Sequence, residues 1–160
     1  MAVHIYTQES NFYKVLNACL RAQDRSQILP FFPYLKIVLR GLRKLPALET
    51  TVYRGVKLDL SGKYPEDDDF IWWGFTSTTS TVKVMEDQMF CGKNGDRSIF
   101  AIKTKSAVDI TRYSAVGNEN ERLLFPGTPF TVTSVASLGA GLTMIQVEQD
   151  TDAPAFISGF

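Results

Sequence analysis

Histidine and cysteine are nearly missing from this 160-residue chain: His4 is the single histidine, and Cys19 and Cys91 stand far apart. With no CxxC spacing and one imidazole, neither a zinc site nor a Ser–His or Cys–His hydrolase centre can be assembled, and no metal is expected. The cysteines allow one disulfide, but two buried free thiols are the preferred reading. A charge excess is missing too. Seventeen Lys and Arg balance seventeen Asp and Glu, so no whole-chain field draws nucleic acid or an anionic membrane. Any anion must therefore be bound locally. No apolar run is long enough for a membrane span. Residues 1–10 lack the features of a signal peptide, so a cytoplasmic protein is the default expectation, and a secreted one if flanking segments were removed.

What is present is core material. Hydrophobic residues make up 44% of the chain, enough for one unit over 1–160 and against disorder. A monomer is the default. Residues 1–46 read as helical. Phe12, Val15, Leu16, Cys19 and Leu20 recur at helical spacing, with Thr7 or Ser10 as a cap, and Leu35, Val38, Leu39 and Leu42 form a second stripe. Pro30-Phe31-Phe32-Pro33 separates them. Residues 47–160 read mostly as strands: Thr51–Val56, Phe70–Phe75, Ile99–Lys103, Ala107–Ile110, Glu121–Phe125, Phe130–Ala136 and Leu142–Glu148. A short helix capped by Ser80, with Val82, Met85 and Met89 inward, interrupts them. Helices first and strands later predict an α+β fold.

Two segments invite chemistry and do not earn it. Gly139-Ala140-Gly141 lacks the spacing of a phosphate loop and reads as a hairpin turn. Glu66-Asp67-Asp68-Asp69 lacks the alternating ligands of a calcium loop and reads as solvated. His4, near the terminus, reads as an ordinary surface or packing residue.

Three other segments make sense together. In Val52-Tyr53-Arg54-Gly55-Val56, strand alternation puts Arg54 where an apolar side chain is expected, beside a glycine that admits close approach. A guanidinium there is most often a surface ion pair, but its forked donors also suit phosphate oxygens. In Trp72-Trp73-Gly74-Phe75-Thr76-Ser77-Thr78-Thr79, an aromatic strand runs into four hydroxyls. That is equally a strand end with a helix cap and a surface for a heterocycle and a ribose. In Asn118-Glu119-Asn120-Glu121-Arg122, alternation places Glu119 and Glu121 on one side of a strand. Two like charges so close resist joint ionisation. Against a sugar that turns cationic as its leaving group departs, one carboxylate stabilises charge and the other takes a proton.

In this order the segments resemble the arginine–serine–glutamate class of mono-ADP-ribosyltransferases, especially the arginine-modifying branch with its animal ecto-enzymes. Tyr53-Arg54-Gly55 is similar to that family's first motif, Phe75 to Thr79 to its Ser-Thr-Ser motif, and Glu119-Asn120-Glu121 to its ExE motif. The likeness extends over Asp109–Ser114, Leu123–Phe130 and the helical region Tyr6–Leu45, nearly the whole chain. Thr79 departs from the usual serine but keeps its hydroxyl. The cysteines that staple secreted vertebrate members are not evident.

The resemblance implies a two-sheet β-sandwich core with an NAD+ cleft behind the helical region. NAD+ would be the substrate and a protein with an exposed arginine the acceptor. It assigns Arg54 to the pyrophosphate or ribose side of NAD+, and Gly55 backbone groups to the nicotinamide amide. Thr78 belongs to the same cofactor-binding hydroxyl motif. Ser77 would orient the ribose and the catalytic glutamate, and Phe90 would stack on nicotinamide. Glu121 would stabilise the cationic sugar, and Glu119 would orient and deprotonate the acceptor guanidinium. Residues 113–118 would form the acceptor-contacting loop. An NAD+ glycohydrolase on the same residues, or a silent NAD+- or partner-binding domain, are the alternatives.

Overall fold

The structure, a computed structural model, describes residues 2–8, 11–83, 94–115, 120–154 and 156–157. Three helices come first: α1 (Ala2–Thr7), α2 (Asn11–Arg21) and, after a 3-10 helix over Arg25–Phe31, α3 (Phe32–Leu42). Asp24 caps the 3-10 helix by accepting from the Ser26 N–H, and the Ser26 hydroxyl together with that N–H holds its carboxyl below the usual range. Seven strands follow: β1 (Leu48–Val56), β2 (Asp69–Trp72), β3 (Thr76–Thr79), β4 (Arg97–Asp109), β5 (Glu121–Leu124), β6 (Thr128–Gly139) and β7 (Leu142–Gln149). Helices then strands give the expected α+β class. Among the described residues no helix is long and apolar enough to cross a membrane.

The helical stripes pack as their spacing requires, with one departure. Leu35, Val38, Leu39 and Leu42 are buried on α3. On α2 the inward residues are Leu16, Asn17 and Leu20, while Val15 is 49% exposed and Cys19 half-buried. Leu16, Asn17 and Leu20 set the buried direction, and Val15, about 100° round the helix from Leu16 on the side away from Asn17, faces outward. Cys19 is a free thiol; Cys91 lies outside the described residues. Thr7 is no cap for α2. It ends α1, where its hydroxyl donates toward the Val3 carbonyl and accepts from the Ala115 N–H at 2.7 Å. Ser10, Met85 and Met89 lie outside the described residues.

Hydrogen bonding joins the strands into one sheet, not two, in the order β1-β3-β5-β4-β7-β6-β2. The cause is β4. Expected as two short strands, it runs unbroken for 13 residues. Its first part pairs with β1 and, in parallel, with β7, while its last residues pair with β5. The polar stretch that suggested a break is held by Gln149, whose Oε1 accepts from the Thr104 and Ser106 hydroxyls and the Lys105 N–H. β1 pairs with both β4 and β3, and β5 with both β3 and β4, so four ladders close a circuit.

The predicted strand Phe70–Phe75 also divides. β2 stops at Trp72 on the far edge beside β6, and the hydroxyl run forms β3 instead. Gly74 carries the chain between them. β5 lies between two cores: Leu123 faces the helices with Phe75, Val108 and Ile110, and Leu124 faces the sheet cluster of Val52, Phe100, Phe130 and Ile145. Burying both faces of so short a strand fixes its register, because a one-residue slip would exchange them. The Ala140-Gly141 turn joins β6 to β7 with both residues at positive φ, as a tight hairpin needs. Glu66–Asp69 is exposed, as expected of a solvated loop, yet it is tied to β6: the Glu66 carboxylate accepts from the Val135 N–H.

Candidate active site

The closed circuit of ladders brings together residues 67 positions apart. Arg54 lies on β1, Ser77 on β3 and Glu121 at the first position of β5. Arg54 Nη1 donates to the Ser77 carbonyl at 3.3 Å, and Ser77 Oγ donates to Glu121 Oε1. Thr79, not Ser77, stands opposite Glu121, so the hydroxyl–carboxylate bond is diagonal, between neighbours on one face of the sheet. Glu121 is buried and Ser77 exposed, which leaves a carboxylate shielded from water behind an accessible hydroxyl. Burial pushes the Arg54 guanidinium below its usual value, the Tyr6 and Tyr64 phenols partly offsetting this. It remains a cation in the physiological range.

The backbone of Glu121 is fixed from several sides. Its carbonyl accepts from the Ile110 N–H at 3.2 Å and from Arg122 Nη1 at 3.3 Å. Arg122 is itself held by Asp109 Oδ1 at 3.0 Å and by the Thr111 hydroxyl. Burial alone would raise the Asp109 carboxyl; the Thr111 hydrogen bonds, with the charges of Arg122 and Arg112, outweigh it and hold it below the usual range. Asn120, just before Glu121, has a left-handed φ of 46°. The strand β5 begins after it, at Glu121. Glu119, Phe90, Gly117 and Asn118 lie outside the described residues.

Thr78 points to the other face of β3, is buried, and donates its hydroxyl to the Arg122 carbonyl at 2.7 Å. Its place is between strands, away from the Ser77 hydroxyl. Gly55 follows Arg54 on β1 opposite Ile99. A cavity of about 370 Å³ between α3 and residues 149–154 has none of these residues in its wall.

Two polar residues that sequence reading passed over support the site from the helices. Asn17 accepts from the Phe75 N–H at 2.9 Å and donates to the Tyr6 hydroxyl at 3.0 Å. The Tyr6 ring packs on Phe75 at 5.0 Å, and its phenol feels the charges of both Arg54 and Glu121. Gly74 makes this approach possible, since a Cβ there would stand 2.9 Å from Asn17 Oδ1. The signal was available: Asn17 is a polar residue on the buried stripe of α2. A buried amide is costly unless paired, so its partners are informative.

A carboxylate held by a hydroxyl, with a cation beside it on the same sheet, can bind an anionic group and oppose positive charge on a sugar. Comparisons with known proteins agree. The family described as NAD:arginine ADP-ribosyltransferase matches residues 1–152. The Vis toxin, an ADP-ribosyltransferase from Vibrio splendidus, is 27% identical with a TM-score of 0.74, over 97% of this chain and 74% of that one. HopU1 of Pseudomonas syringae, at 20% identity and a TM-score of 0.76 over 93% and 75% of the two chains, shares the fold. So does the Clostridium limosum C3 exoenzyme, at 16% and 0.72 over 93% and 83%. A search of curated proteins by sequence finds no match. The protein is an NAD+-dependent mono-ADP-ribosyltransferase, and the chain belongs to the NAD:arginine ADP-ribosyltransferase family.

Proposed function

We propose that this enzyme transfers ADP-ribose from NAD+ to arginine side chains of an acceptor protein, through Arg54, Ser77 and Glu121. The observation that carries the reading is the continuous arrangement Arg54–Ser77–Glu121 across three strands. Arg54 offers a cation for the phosphates of NAD+. Glu121 opposes the positive charge that develops on the ribose as nicotinamide leaves, and Ser77 holds the carboxylate in place. A preorganised charge at a shielded position acts without the reorganisation that water would require. Gly55 and Thr78 belong to the strands that wall this site, and Phe90 is assigned to stacking on nicotinamide. Glu119 is assigned to the acceptor, as the base that takes a guanidinium proton. Support for a guanidine acceptor comes from the family description and from Vis, which was solved with agmatine, itself a guanidine.

The test is incubation with NAD+, with and without agmatine, measuring free nicotinamide and ADP-ribosylated agmatine. Release accompanied by adduct is the expected result. Release without adduct would replace arginine transfer by NAD+ hydrolysis on the same residues. The absence of release would leave a domain that binds NAD+ or a partner.

A further inference from the structure

The balanced charge of the chain conceals one lopsided stretch. Between Asp24 and Glu49 there is no acidic residue, while Arg25, Lys36, Arg40, Arg43 and Lys44 are all cationic. α3 lies within it. Opposite the buried stripe of α3, a helical turn of 100° per residue places Pro33, Lys36, Ile37, Arg40 and Gly41 on one face, and Lys44 stands in the turn that follows the helix; all six are exposed. Ile37, 64% exposed, shares this face with Lys36 and Arg40, and Leu29, 55% exposed, precedes the helix. No ion pair engages Lys36, Arg40 or Lys44 among the described residues.

A solvated helix face normally mixes both signs and presents few large apolar side chains. Cations near the C-terminal end of α3 also suit its dipole. That role does not extend to Lys36 in the middle of the helix, and it needs no exposed isoleucine. Basic residues around protruding apolar ones complement a surface that is anionic outside and hydrocarbon within. A nucleic acid duplex supplies the charge but no apolar layer for Ile37 and Leu29.

We propose that the outer face of α3, with the segments that flank it, docks the enzyme on an anionic lipid bilayer, Lys36, Arg40 and Lys44 against the headgroups and Ile37 and Leu29 in the interfacial layer. The face contributes no residue to the Arg54–Ser77–Glu121 site. Attraction of this kind is short-ranged in salt, falling off over roughly 10 Å at 0.1 M.

The experiment is co-sedimentation of the full chain with vesicles of phosphatidylcholine alone or with phosphatidylserine added. Binding to the mixed vesicles only, lost in high salt, is expected. Lys36→Glu/Arg40→Glu should weaken it by about tenfold or more, from roughly fivefold per basic contact, and Ile37→Ser/Leu29→Ser should weaken it at unchanged charge. Both variants should keep the melting temperature of the parent, because every altered side chain is exposed. Failure to bind, binding indifferent to the charge reversal, or binding indifferent to the loss of Ile37 and Leu29 would each overturn the proposal. Displacement from vesicles by duplex DNA at equal charge would also overturn it, in favour of a general polyanion surface.

Discussion

Glu121 and Ser77 divide one task between them. The carboxylate supplies charge, and the hydroxyl fixes where that charge stands. Glu121→Gln keeps the shape and the hydrogen bond but removes the charge, so its effect belongs to the chemical step. Nicotinamide release should fall by about 10²–10³, the loss typical when one preorganised stabiliser is removed, with little change in KM for NAD+. Steady-state kinetics on agmatine check this; an unchanged kcat would sink the role given to Glu121. Glu119→Gln should spare release and abolish the adduct. Equal loss of both in that variant would show that the two glutamates do not divide the work as proposed.

At the scale of elements, the contact between α2 and the start of β3 decides whether Ser77 is in place. Asn17 meets the Phe75 N–H only because residue 74 has no Cβ. Gly74→Ala would push the Asn17 amide away and leave a buried N–H without its partner. An expected destabilisation of about 1–3 kcal/mol follows, read as a lower denaturation midpoint at unchanged m-value. Preserved stability would mean that α2 can shift at no cost. The same contact shows what the sequence could reveal. Arg54 was legible as a cation where a strand should be apolar, Ser77 as a member of a hydroxyl run and Glu121 as one of two closely spaced acids, and the family resemblance ties them together. The helical stripe of α3 was legible from spacing alone. The division of Phe70–Phe75 was not, because the sequence offers a continuous aromatic run, whereas the sheet sends Trp72 and Thr76 to strands on opposite sides of β4. The continuity of β4 was hidden for a similar reason. Thr104 and Ser106 look like a break until Gln149, more than forty residues later, supplies their partner.

Across the whole molecule, one buried phenol, Tyr6 on Phe75, ties the helices to the sheet, and a half-buried one, Tyr34, ties α3 to α1. Burial raises the Tyr6 phenol to about 12, with the Asn17 amide and the Arg54 charge pulling the other way. Burial raises Tyr34 as well, and its hydroxyl donates to the Ala2 carbonyl at 2.8 Å. In the unfolded chain a tyrosine loses its proton near 10. Above that pH the unfolded state holds fewer protons than the folded one, so stability falls as pH rises. The contribution of Tyr6 is complete below about 10 and is lost through about 12, roughly 2–3 kcal/mol in all. Melting temperatures between neutral pH and pH 11 should therefore decline more steeply for the parent than for Tyr6→Phe. Parallel curves would show that the phenol is not protected as described.

The circuit of β1, β3, β5 and β4 has a kinetic meaning as well. Its ladders join parts of the chain that are distant in sequence, and such pairings form slowly because long loops must close first. The β1–β3 ladder consists of a single registered pair, Tyr53 with Thr79, so little local structure can hold the ring half made. A nascent chain that has emerged only as far as Ser77 has the cation and the hydroxyl but no carboxylate to oppose the sugar's charge. Competence to transfer ADP-ribose thus arrives late in folding, as a single event.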